Sequence, residues 1–223
     1  MWKAIVYKEL RENLWIGAAA LAIYAIMVGS FIGVDLTAAF VSRSTNSAAQ
    51  IPFSDDRFTG EFAILSALFA VVIGFRQTIM ESVRGTWLVL FNRPIEFGRV
   101  VALKLLSGAA IFLVCSAVPI LWYGCWAATP GTHASPFFWC MTWPSWVVWF
   151  SMIPIYLGAF LSGLRPGRWF GTRALPLAGA TFFAFVIGVA HTWLWPLWLA
   201  ELTLLAALLC GVILFVARTR DFS

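Results

Sequence analysis

Six apolar stretches dominate this chain, each near the length that crosses a bilayer. They run over about 14–34, 61–80, 100–126, 145–164, 174–193 and 197–216. A hydrocarbon core needs about 20 consecutive apolar residues in a helix. Inside a membrane the backbone must satisfy its own hydrogen bonds, which leaves only helices and closed barrels. A barrel would need short segments alternating polar and apolar, and these runs are apolar throughout. Only 11% of the 223 residues are charged, against about 25% in a soluble domain. The expected fold is an all-α integral membrane protein, one six-span domain over 1–223 without repeat or linker.

Charge placement sets the expected topology. With the N-terminus in the cytoplasm, thirteen of the fifteen Lys and Arg residues fall on the inner side, and only Arg43 and Arg57 fall outside. That asymmetry follows the positive-inside rule. It requires an even number of spans, so both termini are expected inside. The +5 net charge is thus assigned to topology, and no nucleic-acid partner is expected.

The opening "MWKAIVYKELREN" places Trp2, Ile5, Val6 and Leu10 on one helical face, with Lys3, Lys8, Glu9, Arg11 and Glu12 around the rest. Segment 1–13 is therefore expected to be a retained amphipathic helix lying in the membrane interface. Between spans two and three comes "ESVRGTWLVLFNRPIEFGRVVALK". Val83, Trp87, Leu90 and Phe91 recur with helical spacing, and Pro94 stops that helix. A short cytoplasmic helix over 81–93 is expected, followed by re-entry into span three. The residues alone are equally compatible with a juxtamembrane loop whose arginines bind lipid headgroups.

Catalytic signatures are missing. The sequence has no GxxxxGK[ST] phosphate loop, no HExxH and no GxSxG, so neither enzymatic activity nor ATP, metal or other cofactor binding by this chain is expected. His133 and His191 read as interfacial packing residues. The four cysteines form no CxxC pair. Cys125 and Cys140 flank one external loop, which is compatible with a disulfide or with two separate thiols. Intramembrane charge usually marks function. Glu61 and Glu201 are candidate pathway or gate residues near outer span ends, with snorkelling as the plainer reading, and Arg76 reads as an inner-end anchor. Gly29 and Gly33, one turn apart, suggest close helix packing. Tyr24, Ser66, Ser107 and Tyr156 are scattered polar side chains that define no path.

The segment between spans two and three resembles the first cytoplasmic loop of ABC-2 type transporter permeases. The matching positions are Glu81, Gly85, Thr86, the apolar run 87–91, Pro94, Ile95, Arg99, Lys104, Leu105 and Leu106. The opening "KELRE" is similar to that family's N-terminal helix. Glu96 departs from the pattern, where Ser or Arg is commoner. The resemblance implies a coupling helix over 81–93 that docks on a separate ATP-binding subunit, through Glu81, Arg84, Gly85, Thr86, Trp87, Leu90, Phe91, Arg93 and Pro94. It implies a homodimer, or a pair with a related permease, and two ATPase subunits that bind ATP and Mg. The setting would be the bacterial inner membrane, and the task export. Two other readings stay open: a transporter or channel working without an ATPase, and a membrane scaffold for assembling exported machinery.

Overall fold

The structure, a computed structural model, describes residues 2–34, 51–53, 56–83, 97–133, 136–165, 172–190 and 195–219. Among the described residues six α-helices carry the fold: α1 Trp2–Ile32, α2 Asp56–Val83, α3 Phe97–Ala128, α4 Trp143–Leu164, α5 Leu175–Ala190 and α6 Trp195–Thr219. One 3-10 turn, Trp139–Thr142, leads into α4. No strand occurs among the described residues. Five of the helices are long and apolar enough to cross a membrane, and α5 supplies a shorter apolar helix. The chain is therefore all-helical, with the features of a multi-pass membrane protein.

The N-terminal segment departs from expectation. Residues 2–13 are not a separate helix, because α1 runs unbroken from Trp2 to Ile32 over 31 residues. At about 1.5 Å per residue that is roughly 46 Å, well beyond a hydrocarbon core of about 30 Å. Its described first turns expose both kinds of side chain, Lys8 and Arg11 included. Glu9 and Asn13 are buried, while Tyr7, Leu10, Leu14 and Trp15 are exposed. An amphipathic helix normally buries its apolar stripe. Here Glu9 faces protein because its partner, described below, is charged.

α1 ends where a residue with free φ is needed. Gly33 lies just past the helix at φ 91°, and the Val34 N–H donates to the Gly29 carbonyl at 2.9 Å, as in a helix-closing Schellman turn. Gly33 thus lies just past the last turn of α1 and Gly29 within it. Close approach is made elsewhere. A Cβ on Gly74 of α2 would stand 2.8 Å from Ala159 Cβ of α4, and one on Gly158 of α4 would stand 2.7 Å from Ala180 Cβ of α5. Lipid tails are as apolar as Leu, so small residues that let backbones approach are what hold such helices together.

α4 is the central helix, packed against α2, α5 and α6 as well as α3. From Met152 to Leu164 nearly every residue is shielded. Pro144 in its first turn needs no N–H partner. Pro154 sits inside it, as Pro119 does in α3, a tolerated feature where neighbouring helices surround the freed backbone. Its end is tied down: Arg173 donates to the carbonyls of Ser162 at 3.1 Å and Gly163 at 3.2 Å. The Leu177 N–H donates to Ser162 Oγ at 3.1 Å. Cationic donors satisfy the open carbonyls of a helix C-terminus in this way. On the outside, α5 and α6 expose Phe182, Phe185, Leu204, Leu208 and Phe215, the surface a lipid-facing helix presents.

Candidate functional site: a buried ion cluster at the α2–α3 stems

Glu9 of α1, Glu81 of α2 and Lys104 of α3 meet in the interior. Lys104 is 1% exposed and Glu9 2%. The Lys104 ammonium donates to Glu81 Oε1 at 2.8 Å and to Glu9 Oε1. Lys8, 45% exposed along its side chain, adds a second cation on Glu81 Oε1 at 3.1 Å and lies 3.9 Å from Glu12. Arg76 of α2 reaches back to the Glu12 carbonyl at 2.8 Å. Among the described residues, three carboxylates and three cations thus balance. That balance is what makes burial tolerable, since an isolated ion in a low-dielectric interior carries a desolvation penalty of several kcal/mol.

A neutral network extends the cluster to the central helix. Gln77 donates to the Lys104 carbonyl at 2.8 Å, and Tyr156 of α4 lies 2.8 Å from Gln77 Oε1 and 2.9 Å from the Leu105 carbonyl. Ser107 Oγ also donates to the Lys104 carbonyl, at 2.8 Å. Gly108 makes this convergence feasible: a Cβ there would collide with Gln77 and Tyr156 together. Four helices, α1 to α4, are therefore joined through one polar knot. Beside it lies a cavity of about 20 Å³ lined in part by Asn13 and Arg76, room for a single water. Asn13 Oδ1 has no partner among the described residues.

The carboxylate oxygens of Glu9, Glu12 and Glu81 lie within 4.8 Å of one another, a spacing that suits a cation. Lysine ammoniums already hold that place. Its described carboxylates and ammoniums are paired with one another, an arrangement suited to electrostatic anchoring.

The sequence-predicted residues fare unevenly. Glu81 stands in the cluster, two residues before the end of α2. Arg84, Gly85, Thr86, Trp87, Leu90, Phe91, Arg93 and Pro94 lie outside the described residues. Glu61 pairs with Arg57 at 3.2 Å, one turn away on α2. Glu201 is exposed on α6. Arg76 is an anchor to α1. Cys125 and Cys140 are both free and exposed. His133 holds the Ala127 carbonyl at 2.8 Å, and His191 lies outside the described residues. The scattered polar residues prove to be paired: Tyr24 with Ser66 at 2.7 Å, Tyr156 with Gln77, and Ser107 with the Lys104 backbone.

Glu9 and Lys104 escaped sequence reasoning as a site. Glu9 read as solvated surface, and Lys104 read only as part of a motif. The one available signal was an uncompensated Lys inside the third apolar run, whose partners are 95 and 23 residues away.

No protein-family model matches this chain, and neither a curated protein nor a solved structure does.

Proposed function

We propose that this chain is the membrane-spanning permease subunit of an ATP-driven ABC exporter. A separate ATP-binding subunit, in two copies, supplies ATP and Mg chemistry. A second copy of this chain or a related permease completes the pathway in a bacterial inner membrane. Its substrate is hydrophobic or amphipathic. Of the coupling helix expected over 81–93, residues 81–83 belong to α2, and the remainder, 84–93, docks on the ATPase from the cytoplasmic side.

One observation carries the reading. Residues 84–96 leave α2 just after Glu81 and rejoin the fold shortly before Lys104, and these two residues are bonded to each other and to Glu9 of α1. A force applied to the segment therefore meets a rigid base, not two loose stems. Buried ion pairs are directional and low in compliance, so α1, α2 and α3 move as a unit. Through Gln77 and Tyr156 the same base reaches α4. That is the mechanical requirement of a lever driven from outside the membrane.

The test is ATP-coupled transport in proteoliposomes with the cognate ATPase. Trp87→Asp or Arg84→Glu is expected to uncouple hydrolysis from transport while the chain still inserts. Transport that stays coupled in both variants would contradict the lever role. Transport under an ion gradient alone would favour an ATPase-independent carrier.

A further inference from the structure

We draw no further inference here: the strongest candidate, the apolar cleft between α1 and α2 where Ile23 and Leu65 line two adjoining cavities of about 210 and 290 Å³, is an unpartnered groove, and nothing in the structure shows what covers it.

Discussion

The α1–α2–α3 unit is held at its two ends by opposite chemistries. At one end, Glu9, Glu81 and Lys104 are joined by ion pairs. At the other, rings meet: Phe31 against Phe58 at 5.4 Å, Phe58 against Tyr123 at 4.8 Å, and Phe53 against Tyr123 at 4.7 Å. The same three helices contribute to both. Ring packing is short-ranged and tolerant of sliding, and it contributes about 0.5–1.5 kcal/mol per pair beyond burial. Buried charges fix register and tolerate no missing member. One end is thus built to stay connected in one arrangement, and the other can adjust without losing contact. In the proposed function the rigid end is the driven one.

Removing one member at the charged end is expected to have the largest effect. Lys104→Met takes the buried cation away from Glu9 and one of the cations away from Glu81, and should destabilise by about 3–5 kcal/mol, read by reversible unfolding in mixed micelles. Neutralising all three positions together, Glu9→Gln, Glu81→Gln and Lys104→Met, should recover most of that loss. A triple variant as unstable as Lys104→Met alone would show that burial of unpaired charge is not the cause. Next comes the knot that ties the cluster to α4. Gly108→Ala drives a methyl into Gln77 and Tyr156 and should cost about 1–3 kcal/mol, as overpacking does. At the ring end, Phe58→Leu gives up the ring contacts with Phe31 and Tyr123 and should cost about 1–3 kcal/mol, at about 0.5–1.5 kcal/mol per pair. A larger loss there would remove the contrast between the two ends. Smallest is Lys8→Met, because its ammonium is half in solvent and exposed ion pairs contribute about 0–1 kcal/mol.

Much of the fold was legible because lipid imposes a simple code. Six apolar runs became six helices, and Pro144 and Gly33 mark a start and an end that local chemistry dictates. Boundaries shifted outward, as in α2 beginning at Asp56, because helices continue past the apolar zone while their backbone still has partners. The segment 1–13 was misjudged for a physical reason. Amphipathicity gives the presence of a polar face, not where the helix ends, and α1 runs on unbroken from Trp2 to Ile32. The site was half legible. Glu81 stood in a recognisable segment, but nothing local to Glu9 signals that Lys104 lies across from it. Pairing over 95 residues is a property of the packed bundle. The same holds for Tyr24 with Ser66, which look unrelated in sequence because their helices run antiparallel.

The most direct test of the central claim is a double-mutant cycle between Glu9→Gln and Lys104→Met, with unfolding free energy as the readout. Residues in contact within one network couple by about 0.5–3 kcal/mol, whereas independent sites add to within about 0.3–0.5 kcal/mol. A buried ion cluster binding α1 to the stem of α3 predicts a coupling of about 2 kcal/mol or more. Additive losses would mean that the two side chains do not hold each other, and the rigid base under residues 84–96 would be lost with them.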